Sequence, residues 1–170
     1  SNATGGVINI ITKQNKQPWT LNVNARYAKH NDQRYGGVFG LSSKHWRNAF
    51  SANYHNKDNY NVTSAANPVT RVISTIYGER TVDFKDKLTW RPSDRLSVGA
   101  RAGYFFRETK RTVNLPERYR DFTGGLRMNW NISSQDDLQA SYAFDQYDKS
   151  DYQRITRLDI RDYSNVQNSL

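Results

Sequence analysis

Three histidines, His30, His45 and His55, are the side chains here best suited to binding a metal or passing a proton. They fall on separate turns or strands, with no carboxylate or cysteine at ligand spacing. A solvated role is therefore expected of each, and no metal site. The chain has no cysteine, which removes thiolate ligands, thiol nucleophiles and disulfides together. No Gly-x-Ser-x-Gly elbow, phosphate loop or dinucleotide fingerprint occurs. Asp136-Asp137 and the acids between Asp145 and Asp151 offer oxygen ligands, but at spacings that fit no calcium loop. The sequence predicts no enzyme and no cofactor. The chemistry left is recognition of an anion. Arg107, Lys110, Arg111 and Arg118 gather at the base of one loop, where they would favour a negatively charged ligand. Solvated loop charge is the plainer account of the same four residues.

The net charge of +9, from 25 Lys and Arg against 16 Asp and Glu, raises nucleic acid as a partner. The cations are spread along the chain, however, and the densest stretch, residues 107–111, already contains Glu108. We read them as solvated charge and expect no nucleic-acid partner.

The elements that carry these residues have an unusual composition. Only 36% of the chain is hydrophobic, with a mean hydropathy of −0.91, yet 13% is aromatic. Disordered chains this polar are poor in aromatics. No run approaches the ~18 apolar residues of a membrane helix. What fits is a set of strands with one apolar and one polar face. Period-two alternation supports this. Leu21, Val23, Ala25 and Tyr27 share a face, as do Tyr35, Gly37, Phe39 and Leu41, and Phe50, Ala52 and Tyr54. Val82, Phe84, Leu88 and Trp90 follow, with Asp86 interrupting the apolar row. The clearest run is Leu96, Val98, Ala100, Ala102, Tyr104 and Phe106, with Arg101, Gly103 and Arg107 between. Phe122, Gly124, Leu126, Met128 and Trp130 make a sixth strand and Leu138, Ala140, Tyr142 and Phe144 a seventh. An eighth is expected within residues 156–170.

Short turns are expected at residues 30–32, 44–48, 91–94 and 133–137, and long polar breaks at 57–78, 110–117 and 149–157. Strands of about ten residues suit a tilted transmembrane strand, and in such barrels short turns are periplasmic and long loops extracellular. Trp46, Trp90 and Trp130 stand beside the short turns, where an interfacial aromatic girdle belongs. The expected fold is all-β: an antiparallel up-and-down meander of about eight long strands, part of a larger transmembrane β-barrel.

One further stretch sharpens the reading. Gly5, Gly6, Val7, Ile8, Asn9, Ile10, Ile11, Thr12 and Lys13 form a β-branched run behind a glycine pair. Followed by strands of this kind, it resembles the end of the plug domain in TonB-dependent outer-membrane receptors. That resemblance implies residues 4–17 as the last plug strand and linker, and 18–170 as the N-terminal part of a barrel of about 22 strands. Residues 1–3 look like a tag remnant. It further implies a bacterial outer-membrane location and import of a scarce nutrient: a ferric siderophore, haem, cobalamin or glycan. The implied partners are outer-membrane lipid and a TonB-type energy-transducing protein, met through a region not contained in this chain. The alternative is a soluble or surface-anchored β-domain that binds glycan or protein through its aromatics. Two unpaired edges and a bare apolar face should make the isolated chain self-associate.

Overall fold

Antiparallel pairing accounts for all the regular structure in the computed structural model, which describes residues 17–63, 73–111 and 114–170. The strands are β1 (Trp19–Ala28), β2 (Asp32–Ser42), β3 (Trp46–Asn56), β4 (Tyr60–Thr63), β5 (Ile73–Ile76), β6 (Glu79–Ser93), β7 (Leu96–Thr109), β8 (Glu117–Asn131), β9 (Asp137–Gln153) and β10 (Leu158–Ser169). Eight of them form one sheet in the order β1-β2-β3-β6-β7-β8-β9-β10, and β4 and β5 form a separate hairpin between β3 and β6. The sheet is an up-and-down meander, as expected. Among the described residues it is open: β1 pairs only with β2, and β10 only with β9. The stretch Gly5 to Lys13 lies outside the described residues.

The turns show why the chain reverses where it does. His30 and Asn31 take left-handed conformations, with φ of 62° and 54°, a region that Asn and His enter more readily than most residues. The Asp58 amide donates to the His30 carbonyl at 2.9 Å and ties this turn to the end of β3. Pro92, which has no N–H for the ladder, sits where the β6–β7 register shifts between Trp90 and Ser93. A bulge of this kind is where a sheet tolerates proline.

Several boundaries differ from the sequence expectation. Trp46 to Asn48 and Arg91 to Ser93 belong to strands rather than turns, as do Asp32 and Asp137. The break 57–78 contains the β4–β5 hairpin, and the break 149–157 shrinks to a turn at 154–157. The physical reason is common to β6–β9. Ladder pairing runs on past the point where apolar alternation stops, so β9 extends through Gln146, Asp148 and Ser150 to Gln153. Alternation marks the apolar part of a strand, not its hydrogen-bonded length.

The register sorts side chains onto two faces. Phe39 stands opposite Phe50, and Ala52 opposite Phe84; Phe84 is opposite Tyr104, and Tyr104 opposite Phe122. The Phe50 and Phe84 rings stack at 6.3 Å and those of Tyr104 and Phe122 meet at 4.7 Å. On the other face Lys85 is opposite Gly103, Lys87 opposite Arg101 and Gly99 opposite Arg127. Glycines give the polar side chains there a place to lie. A Cβ at Gly125 would stand 2.7 Å from Arg101 Nε, so Arg101 folds across that glycine.

Among the described residues no second layer packs on either face. Among the described residues no hydrophobic side chain is buried, and Leu126, Phe122, Trp90, Phe84 and Phe50 are all exposed. Leaving each such side chain wet forgoes about 1.5–3 kcal/mol. Over a whole sheet that loss exceeds the ~5–15 kcal/mol by which domains are stable. Among the described residues the apolar face is bare.

Candidate functional site

Along the apolar face the residue types are graded by level. At the end of the short turns lies a row of tryptophans: Trp19 on β1, Trp46 on β3, Trp90 on β6 and Trp130 on β8. Trp46 is directly opposite Trp90, and all four are exposed. Trp19, which the sequence reading did not group with them, starts β1 opposite Leu41, itself opposite Asn48, two residues above Trp46. Eight residues above Trp46, Tyr54 stands opposite Tyr35, their rings stacked at 6.2 Å, and Tyr27 is exposed nearby on β1. Eight residues cover about 27 Å of strand. Between the two aromatic levels lies an apolar band. Asp86 lies within this band, opposite Phe50 and Ala102, and accepts a hydrogen bond from Asn48 Nδ2 at 2.8 Å.

Above the band the same face becomes charged. β6 to β9 are 14 to 17 residues long, and their residues beyond the apolar band lie at the end away from the short turns. There Glu108, the most buried charged residue of the described part at 4% exposure, is held by three arginines. Arg118 Nε donates to its Oε2 at 2.8 Å, Arg154 Nη2 to its Oε1 at 3.1 Å, and Arg80 Nη2 lies 3.6 Å from Oε1. Arg118 also stacks on the Tyr152 ring, 3.2 Å from its centroid. Beside them Arg120 pairs with Asp159 at 2.8 Å. Burial pushes the Asp159 carboxyl up, but hydrogen bonds from Arg120 and Ser150 outweigh it and hold the group below its usual range. Lys110 donates to Asp58 at 2.6 Å and to Asn56 at 2.8 Å, and with Asn31 it lowers the Asp58 carboxyl likewise.

The four candidate anion ligands are not one cluster. Arg118 and Lys110 belong to this rim and are ion-paired. Arg107 points to the opposite face, its guanidinium 4.3 Å from the centroid of Tyr119 and its Nε buried without a hydrogen-bond partner. Arg111 lies 5.9 Å from the Tyr77 ring. Neighbours in sequence land on opposite faces of a strand, which separates Arg107 from Glu108 and Arg118.

Two residues missed from sequence, Arg80 and Arg154, reach Glu108 from elements 28 and 46 residues away in sequence. Only strand order brings them together. The histidines need one correction. His55 does have carboxylate neighbours, with Nε2 2.9 Å from Asp32 and Nδ1 3.7 Å from Glu79, supplied by the flanking strands β2 and β6. His30 stacks on Tyr60 at 3.9 Å, and His45 Nδ1 lies 3.1 Å from the Arg91 carbonyl.

Comparison of the chain with protein-family models, with curated proteins and with solved structures finds no match.

Proposed function

We propose that this chain forms part of a bacterial outer-membrane β-barrel of the TonB-dependent kind, importing a scarce nutrient driven by a periplasmic energy-transducing partner. One observation carries the reading: an eight-stranded open sheet with no buried hydrophobic residue among those described, whose apolar face is bordered by tryptophan at one level and tyrosine at another. Lipid covers such a face without a second layer of protein. The polar face, with Lys85, Lys87, Arg101 and Arg127, then lines the lumen. The β-branched stretch from Gly5 to Lys13 supports the family assignment through its resemblance to a plug terminus.

A second reading has its own observation. Asp86 in the middle of the apolar band suits a face that packs on protein, as in a β-domain binding a partner or glycan. A carboxylate in hydrocarbon is costly, but Asn48 satisfies part of it.

The functional test is uptake. Cells lacking the protein should lose energy-dependent import of one nutrient class when screened with a ferric chelate, haem, cobalamin and an oligosaccharide. Unchanged import of all four contradicts the transporter reading.

A further inference from the structure

Above the aromatic level of the apolar face lies a recess of about 590 Å3, whose lining includes Arg80, Glu108, Lys110, Arg118, Arg154 and Tyr152. We propose that it binds the phosphate-bearing headgroup of an outer-leaflet lipid. The inference rests on the membrane placement proposed above.

The charge balance is the first ground. Arg80, Arg118 and Arg154 converge on a single carboxylate, Glu108. Arg157 lines the recess as well, and four guanidinium charges against one carboxylate leave an excess of three. Arg120 is cancelled by Asp159, and Lys110 by Asp58. A phosphate monoester carries about −1.5 to −2 at neutral pH, which that excess can neutralise.

Geometry is the second. Arg118 is fixed: its side chain is 18% exposed, clamped between Glu108 and the Tyr152 ring. Arg80 and Arg154 are 43% and 48% exposed and each meets Glu108 through Nη2. A guanidinium has five N–H donors, so both keep donors for an incoming oxygen. Glu108 acts as the floor that orients them.

The third ground separates a lipid from a free anion. The recess opens onto the apolar face rather than the polar one. Tyr54 lines it, and Arg80 and Arg118 lie 5.6 and 6.0 Å from the Phe106 ring. Phe106 continues down β7 into Tyr104 and Phe122 of β8. A ligand with an anionic head and apolar chains complements both surfaces at once; a soluble phosphate uses only the upper one. Facing outward, the recess also stands apart from any lumen through which a nutrient would pass.

The test is native mass spectrometry of the full chain in nonionic detergent micelles, titrated with phosphatidic acid, phosphatidylcholine and inorganic phosphate. Phosphatidic acid should bind about tenfold or more tightly than phosphatidylcholine, the effect of a pair of charge-assisted hydrogen bonds. The R80Q/R154Q variant should lose that preference, and K85Q/K87Q, on the opposite face, should keep it. Circular dichroism checks that both variants stay folded, as expected with the Arg80, Arg154 and Lys85 side chains at least 43% exposed and Lys87 exposed too. Preference retained in R80Q/R154Q overturns the proposal. So does inorganic phosphate displacing phosphatidic acid at equal concentration, which would mark a soluble-anion site. Lipid binding without headgroup preference sinks the recess alone. No binding of either lipid, and no detergent belt, sinks the membrane reading beneath it.

Discussion

Glu108 is the residue on which the charged rim depends. Removing its carboxylate leaves Arg80, Arg118 and Arg154 facing one another with nothing between. Glu108→Ala should therefore destabilise the folded protein by about 2–3 kcal/mol in a urea titration. Lys85→Ala breaks an ion pair whose lysine is 67% exposed and should cost under about 0.5 kcal/mol. Equal effects would mean that the rim is ordinary surface charge. A second outcome at this scale concerns pH. The Lys110 and Asn31 hydrogen bonds hold the Asp58 carboxyl below the ordinary value of 3.8. A lowered carboxyl contributes its full stabilisation above its unfolded value and loses it as pH falls through the folded one. Amide protection at Asp58, corrected for intrinsic exchange, should be flat above about pH 5 and fall below about pH 4. The Asp58→Asn variant should show no such fall.

At the level of the strand, facing is the testable quantity. Ala100 lies opposite Leu88 and Leu126 on the apolar face, and Gly99 lies opposite Thr89 and Arg127 on the polar one. An arginine at a lipid-facing midplane site costs roughly 2–4 kcal/mol. Ala100→Arg should lower the yield of assembled protein in membranes well below that of Gly99→Arg. A Cβ at Gly99 meets nothing closer than 3.9 Å, so crowding does not confuse the comparison. Equal yields would show that the face is not in lipid. The division of each strand into two faces was legible in the sequence because a period of two needs only one chain to be seen. Two things were hidden. The ends of β6 and β9 carry no apolar alternation, so their pairing shows only when the partner strand is present. The β4–β5 hairpin was obscured by the polar, Pro68-containing stretch around its two four-residue strands. The rim was hidden for a related reason. Its members come from β6, β7, β8 and the turn after β9, and no spacing within one segment brings them together.

At the largest scale the governing fact, among the described residues, is an open sheet whose first and last strands pair on one side and whose apolar face is bare. In detergent-free buffer the chain should associate, and light scattering should report particles larger than its 19.7 kDa mass. Detergent should disperse them. A folded monomer in plain buffer would favour the binding-domain reading. The most direct measurement uses the absence of native cysteine. Single cysteines placed in turn at positions 98 to 104 of β7, in protein reconstituted into bilayers, can each carry a nitroxide spin label. Collision rates with oxygen, which concentrates in lipid, and with a water-soluble nickel chelate then read each position. The account predicts alternation with a period of two: oxygen dominant at Val98, Ala100, Ala102 and Tyr104, and the chelate dominant at Gly99, Arg101 and Gly103. Uniform accessibility along the strand, or chelate dominance at the even positions, would contradict it.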